Sequence, residues 1–385
     1  MKLTTKLLSF SLLSLIILSG CKAQTRLGST EKTFTKKEAD TAFDSFHNHY
    51  YNTRSGVYQT SIQNSKRAAI WTQAIFWDIA MNAYKRTGYN RYRKTIDDIF
   101  EGAAKEYDNY NWDNDKEWFI YDDIMWWVIS LARAHEITGD KKYLELSESG
   151  FDRVWNGSRI VGDDGSYDKE KGGMRWGWEP HQRNGKMACI NFPTVIGAMT
   201  LHNITGKQSY FDKAAEIYDW ARNTLFDPIR GRIADHKNDR GRNPDWTTHL
   251  YNQATFIGAG VMLYNKTGEK KYLDDAVLAA NYVRDSMCDE NGLLPFENGI
   301  EQGIYCAIFA QYIIRLIEDG QQTQYLSWMH ENIKAAWNNR DRNRTLTFKN
   351  FSQPCPSGDI EVYDASGCVA LMQVMPKKIT QNNSK

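Results

Sequence analysis

The sequence predicts an all-α fold built from repeated helical hairpins. A Gly followed four residues later by Tyr recurs four times, and apolar residues at helical spacing flank each recurrence. The segments are Tyr84-Lys85-Arg86-Thr87-Gly88 with Tyr92, His135-Glu136-Ile137-Thr138-Gly139 with Tyr143, His202-Asn203-Ile204-Thr205-Gly206 with Tyr210, and Tyr264-Asn265-Lys266-Thr267-Gly268 with Tyr272. Gly at each point ends one helix in a left-handed conformation, and the Tyr docks the start of the next. Roughly 340 structured residues at about 60 per hairpin allow near six hairpins, either in an open solenoid or in a closed ring. A closed double ring would gather the N-terminal ends of its inner helices at one mouth, where a cleft is expected.

The ends of the chain are less regular. Lys2 and Lys6 precede the apolar run Leu7 to Leu18, which stops at Leu18-Ser19-Gly20-Cys21. This reads as a secretory signal over residues 1–20. Its last four residues resemble the bacterial lipobox, which implies cleavage before Cys21, lipid on that residue and membrane attachment through the lipid. Residues 21–36 would then be a polar tether, 37–376 the helical-barrel body, with its first helix from about Lys37 to Tyr51, and 377–385 a polar tail. No second run of 18 or more apolar residues follows, so anchoring need not mean spanning. The location expected is the bacterial cell envelope, on the outer membrane facing the periplasm or the cell surface.

Composition excludes some partners. The 385 residues carry 48 Lys and Arg against 47 Asp and Glu, and losing Lys2 and Lys6 with the signal leaves 46 against 47. A near-neutral body offers no basic field for nucleic acid, and no obligate protein partner is expected. The 13 Trp, 21 Tyr and 16 Phe exceed what a core requires, so some should line a cleft. The body keeps Cys189, Cys288, Cys306, Cys355 and Cys368 without a CxxC pair, which argues against a metal cluster, and no cofactor is expected. Cys355 and Cys368 are near enough in sequence for a disulfide in an oxidising compartment, whereas Cys189 and Cys306 read as small buried hydrophobes.

The sharpest chemical signal is Trp118 to His135. Its apolar face runs through Ile124, Trp127, Val128, Leu131 and Ala134; Asp123 lies one turn before Trp127 on that face, with Asp122 about 100° around. Two carboxylates therefore begin an apolar helix. One reading has them favouring the helix dipole, one of them serving as a cap. Alternatively they serve a glycosidic bond, one attacking and the other protonating the leaving oxygen, at the carboxyl separation of roughly 5 Å that retention requires.

Further motifs fall at other helix starts. Trp71 and Gln73 precede Trp77 and Asp78; Trp71 would suit a sugar platform and Gln73 a hydroxyl contact, while an ordinary aromatic core explains Trp77 at least as well. Gly172-Gly173-Met174-Arg175-Trp176-Gly177-Trp178 would let backbone approach a ligand, with Trp176 or Trp178 facing a pyranose ring, though paired Gly also suits a plain turn. Lys186 and Asn191 open another apolar run. Tyr251, Asn252 and Gln253 offer directional contacts to hydroxyls, while His249 alone is weak evidence for catalysis. Gln302-Gly303-Ile304-Tyr305 places an aromatic at a further inner-helix start.

Together these residues resemble glycoside hydrolase family 76, a family with secreted and surface-bound endo-α-1,6-mannanases. Tyr121-Asp122-Asp123-Ile124-Met125-Trp126-Trp127 is the most specific match; the motifs at Gly172 to Trp176, Lys186 to Asn191, Tyr251 to Gln253 and Gln302 to Tyr305 follow in order. The resemblance implies an (α/α)6 barrel, Asp122 as nucleophile and Asp123 as general acid/base in a retaining endo-α-1,6-mannanase. It implies subsite contacts from the remaining motifs and an α-mannan substrate. The chain departs from the family pattern at Gln302, Ala254 and near Ala307, which concern substrate placement and leave the acid pair intact. Two other readings use the same residues. An unsaturated-uronide hydrolase would need a compensating cationic contact, for which Arg175 and Lys186 are candidates, and an inactive glycan-binding lipoprotein would bind sugar with its acid pair misplaced.

Overall fold

The computed structural model describes residues 34–179, 185–239, 241 and 243–376. The signal, Cys21, most of the tether and the tail after Pro376 lie outside these residues. The first helix, α1 (Lys36–Tyr50), begins one residue before the expected start. Thr35 and Glu38 form a reciprocal capping box there, and Phe34 is only 6% exposed, so packing against the body already begins at residue 34.

Helices then alternate in pairs: α2 (Ile70–Thr87) and α3 (Asn90–Glu106), α4 (Tyr121–Thr138) and α5 (Lys141–Asn156), α6 (Ala188–Thr205) and α7 (Gln208–Leu225), α8 (Leu250–Thr267) and α9 (Lys270–Tyr282), α10 (Tyr305–Glu318) and α11 (Tyr325–Asn338), and last α12 (Val362–Val374). Each even-numbered helix packs on the next, and α12 packs back on α2. The inner ring of α2, α4, α6, α8, α10 and α12 is thereby closed, and α1 completes the outer layer against α12. This is the (α/α)6 barrel. Inner helices are buried around most of their circumference; in α6 every residue from Ala188 to His202 is buried. Outer helices such as α3 bury one stripe through Tyr92, Ile96, Ile99 and Phe100.

The repeated Gly-to-Tyr spacing does what its chemistry suggests. Gly88, Gly139, Gly206 and Gly268 end the inner helices at φ of 70°, 76°, 71° and 71°, each donating its N–H to the carbonyl four residues earlier. The Tyr that follows reaches back to the preceding outer helix. Tyr92 donates to Asp44 at 2.9 Å, Tyr143 to Asp97 at 3.0 Å and Tyr210 to Glu148 at 2.9 Å. In the same way Tyr325 of α11 donates to Asn281 of α9 at 2.9 Å. The spacing thus joins neighbouring hairpins as well as the two helices of one.

Two short antiparallel pairs sit in the connections. β1 (Tyr51–Asn52) pairs with β2 (Val57–Tyr58), and β3 (Gly185–Met187) with β4 (His236–Asn238). The second pair ties the connection before α6 to that before α8, at the end of the barrel where the inner helices begin. Cys355 and Cys368 are both free thiols, which corrects the disulfide expectation: Cys368 is buried in α12, while Cys355 is partly exposed in the preceding loop. Among the described residues no helix is long and apolar enough to cross a membrane.

Candidate active site

The inner helices present Trp71, Asp122, Asp123, Cys189, Tyr251, Tyr305 and Tyr363 in their first turns, so the closed ring brings these side chains to one mouth. The start of α4 is held from outside the helix. Backbone N–H groups of Tyr121 and Asp122 donate to the carbonyl of Trp176 at 3.1 and 3.4 Å, and Ile120 bridges Gly177. The residue capping α4 is Ile120, with no side-chain cap bond. Neither Asp122 nor Asp123 is therefore serving as a helix cap.

Asp122 is 9% exposed, and its Oδ1 has no hydrogen-bond partner. Burial pushes its carboxyl up to about 7, with the negative charge of Asp235 adding to the rise; the Cys189 thiol and the Trp176 and Trp126 indoles act in the opposite direction. Asp123 is half-buried. Burial, then the charges of Asp122 and Glu301, hold it well above the ordinary carboxylate range. Two adjacent carboxyls, both raised, disfavour simultaneous ionisation.

Aromatic and polar groups surround the pair. Trp71 lies against Trp126 with ring centroids 5.9 Å apart, and its Nε1 donates to Glu301 at 2.7 Å. Tyr251 and Tyr305 stack at 4.1 Å and 16°. Asp235 accepts from Asn252 at 3.3 Å and contacts His236 at 2.9 Å. His249 pairs with Glu297 at 2.5 Å, which raises the proton affinity of its ring, and Glu297 also accepts from the Leu250 N–H at the start of α8.

Several residues expected to touch sugar are committed elsewhere. Gln73 is fully buried, accepting from the Tyr58 N–H at 2.9 Å and donating to the Tyr58 carbonyl at 2.8 Å; it secures β2 to α2. Asn191 accepts from Met174 N–H at 2.8 Å and donates to the carbonyls of Met174 and Met187, holding the Gly-rich loop. Gln253, with its amide oriented to suit both neighbours, donates to Gly231 and accepts from Ile233. Each amide satisfies loop backbone that would otherwise be buried without partners. Gly172 and Gly173 adopt φ of 70° and 76°, and a Cβ on either would meet the Trp220 ring at 2.8 or 2.6 Å. The paired Gly therefore lets the loop close on Trp220.

Lys186, 2% exposed, binds Asp168 at 2.8 Å and the Gly172 carbonyl at 2.7 Å. Arg175 binds Asp168 at 2.6 Å and Asp239 at 3.0 Å. Both cations are neutralised within the loop, where an acidic sugar would need one of them free. Trp178 packs beneath the Arg153 guanidinium at 4.6 Å, and Arg153 pairs with Asp163 at 2.6 Å. Trp176 is half-buried beside Asp122, and Gln302 is half-buried in a 3-10 turn.

Sequence reasoning missed Asp235, Glu297, Glu301 and Cys189 as members of this mouth. Glu297 and Glu301 stand in connections without a helical period, and only the closed ring shows that Glu297 meets His249 and Glu301 meets Trp71. A different cavity of about 620 Å³ lies at the opposite end of the ring, lined by Lys85, Arg133, Glu136, Arg315, Glu318 and Asp319 among others. Its most buried cation, Arg133, is paired with Asp78 at 2.7 Å.

Comparison with solved structures agrees with this architecture. The GH76A α-1,6-mannanase from Salegentibacter sp. HEL1_6 is 25% identical, with a TM-score of 0.77 over 88% of this chain and 98% of that one. An inactive variant of that mannanase, replaced at two consecutive aspartates and in complex with α-1,6-mannotetrose, superposes at 0.78 with 24% identity over the same shares. The family 76 mannosidase Bt3792 from Bacteroides thetaiotaomicron VPI-5482 is 18% identical with a TM-score of 0.71, over 88% of this chain and 96% of that one. A sequence search of curated proteins gives no match. The family model described as glycosyl hydrolase family 76 matches residues 34–381. With nearly the whole described body matched, the chain belongs to glycosyl hydrolase family 76.

Proposed function

We propose that this chain is a retaining endo-α-1,6-mannanase whose nucleophile is Asp122 and whose general acid/base is Asp123. The observation that carries the reading is the adjacent pair at the start of α4: a sheltered Asp122 without a protein partner on Oδ1 beside a more exposed Asp123 whose carboxyl is held well above the ordinary range by burial and the neighbouring Asp122 charge. Asp122 would attack the anomeric carbon while Asp123 protonates the departing glycosidic oxygen. Asp123 would then deprotonate a water that cleaves the glycosyl–Asp122 ester, returning the original anomeric configuration. Stacked Tyr251 and Tyr305, with Trp71 and Trp176, supply apolar faces for pyranose rings, and Asn252 with Asp235 supplies polar ones.

The similarity to an α-1,6-mannanase at 25% identity supports the linkage. The internal neutralisation of Arg175 and Lys186 weighs against an acidic uronide. Incubation of the purified chain and of its Asp122→Asn and Asp123→Asn variants with linear α-1,6-mannan tests the proposal by product size. Wild type is expected to release oligosaccharides of mixed length and the variants almost none. Binding without cleavage in every form would favour a sugar-binding module. Attachment to the envelope through lipid on Cys21 belongs to the same proposal and rests on Leu18-Ser19-Gly20-Cys21. Incorporation of a labelled fatty acid in cells, abolished by Cys21→Ala, is the expected result.

A further inference from the structure

The connection from α9 to α10 has no helix or strand between Cys288 and Glu301, and Phe296, Asn298, Gly299 and Ile300 in it are exposed. Glu297 turns inward among them. Its Oε2 meets Nδ1 of His249 at 2.5 Å, and its Oε1 accepts from the Leu250 N–H at 3.2 Å. His249 is the cap residue of α8 and makes no side-chain cap bond of its own, so the carboxylate that satisfies this helix start comes from the next connection, where the dipole favours its charge.

The other side of the His249 ring is acidic as well. Its Nε2 lies 3.7 Å from Asp235 Oδ1. Asp235 is fixed in turn: its carbonyl accepts from the Ala188 N–H and its own N–H donates to the Asp245 carbonyl, both at 2.8 Å, while Asn252 donates to Oδ1 at 3.3 Å and His236 meets Oδ2 at 2.9 Å. Both ring nitrogens of His249 therefore face carboxylate oxygens. A neutral imidazole has one N–H and one lone pair, so either tautomer would set a lone pair against a carboxylate; the imidazolium, with two N–H groups, suits both.

This ion pair stands beside the stacked tyrosines. The His249 ring lies 6.0 Å from the centroids of Tyr251 and Tyr305 alike. Tyr251 follows His249 by two residues and Tyr305 follows Glu297 by eight, so the contact joins the two segments that deliver the stacked rings. Among the described residues, the hydrogen bond to Glu297 raises the proton affinity of the ring, burial opposes it, and the charges of Glu297, Asp235 and Asp245 add to the rise, leaving it above the ordinary 6.5. Tyr251 of α8 and Tyr305 of α10 face the ring as neutral phenols, since burial raises both.

We propose that His249 is the positioning residue of the Tyr251–Tyr305 platform: as an imidazolium between Asp235 and Glu297 it clasps the connection ahead of α10 to the start of α8, and loss of its proton loosens the platform and weakens substrate binding. The inference rests on the platform role given to these tyrosines above. The clasp is complete below pH 6.5 and weakens as pH rises through the raised midpoint of the ring.

The first test is an NMR titration of the His ring carbons in the whole chain labelled at His, with the His249 signal assigned by its loss in His249→Gln. Its midpoint is expected above 6.5 and should fall by about one pH unit in Glu297→Gln, a roughly tenfold loss of proton affinity. The second is the Kd of a short linear α-1,6-mannooligosaccharide in the Asp122→Asn background, with and without His249→Gln. The ratio of the two Kd values is expected to be about fivefold below the midpoint and to approach one above it. A change in binding from Asp123 titration occurs in both proteins and cancels. Should His249→Gln fail to fold by circular dichroism, His249→Asn takes its place with the same expected ratio. A His249 midpoint at or below 6.5, or a ratio that does not change with pH, overturns the proposal. Because neither measurement needs hydrolysis, a wild-type protein that binds the sugar but leaves mannan intact would overturn the mannanase reading while the clasp is still decided.

Discussion

Tyr251 and Tyr305 stack face to face across the start of α8 and α10, their ring centroids 4.1 Å apart and their planes 16° from parallel. The closed ring produces this contact, since the two residues are 54 positions apart and occupy the first turns of neighbouring inner helices. Their paired rings border the carboxylates without belonging to them. Tyr305→Ala is expected to raise KM for α-1,6-mannan about tenfold while changing kcat less than about threefold, because a ring platform contributes binding that is similar in ground and transition states. Steady-state kinetics on defined oligosaccharides checks this; a selective loss of kcat would show instead that the stack orients the acid pair.

The loop carrying Trp176 depends on a buried charge. Asp168 accepts from the Glu170 and Lys171 N–H groups at 3.1 Å, from Lys186 at 2.8 Å and from Arg175 at 2.6 Å. Burial raises its proton affinity, but Lys186 and the backbone donors outweigh burial and hold the carboxyl down at about 2. The stability it contributes is therefore present above the ordinary value of 3.8 and lost as pH falls toward 2. Asp168→Asn leaves Lys186 buried without its counter-charge and is expected to cost about 3–5 kcal/mol at pH 7. Chemical denaturation should show the loss at neutral pH and its disappearance near pH 2. Equal stability of both forms at pH 7 would contradict this account of the loop.

The acid pair has the opposite linkage. The folded-state value of Asp122 is raised from 3.8 to about 7, so below pH 3.8 both folded and unfolded forms are protonated. As pH rises through that window the folded form pays for ionisation. At pH 8 Asp122→Asn is expected to be more stable than wild type by a few kcal/mol, a difference that vanishes near pH 3. Thermal unfolding across that range measures it, and a variant no more stable at pH 8 would show that the carboxylate is not penalised by its burial.

How much of this was legible in the chain follows from what kinds of spacing carry information. Gly88, Gly139, Gly206 and Gly268 announced four hairpins because helix termination and interhelix docking are local requirements. The hairpin of α10 and α11 lacks the Thr-Gly pair, and α12 finds its outer partner in α1, at the other end of the chain, so neither followed the same spacing. The place of Asp122 and Asp123 in the first turn of α4 was legible because carboxylates on an apolar helix face are costly. Gln73, Asn191 and Gln253 were read as sugar contacts, yet an amide at an inner-helix start satisfies loop backbone equally well, and sequence does not distinguish the two uses. Glu301 was invisible for a different reason: its neighbour Trp71 is 230 residues away, and only closure of the ring brings them together.

The most direct test of the retaining mechanism is the anomeric configuration of the first product. Proton NMR within the first turnovers on linear α-1,6-mannan, before mutarotation, is expected to show the α-anomer at the new reducing end. Early appearance of the β-anomer would contradict a glycosyl–Asp122 intermediate, and the absence of any new reducing end would contradict hydrolysis of this linkage.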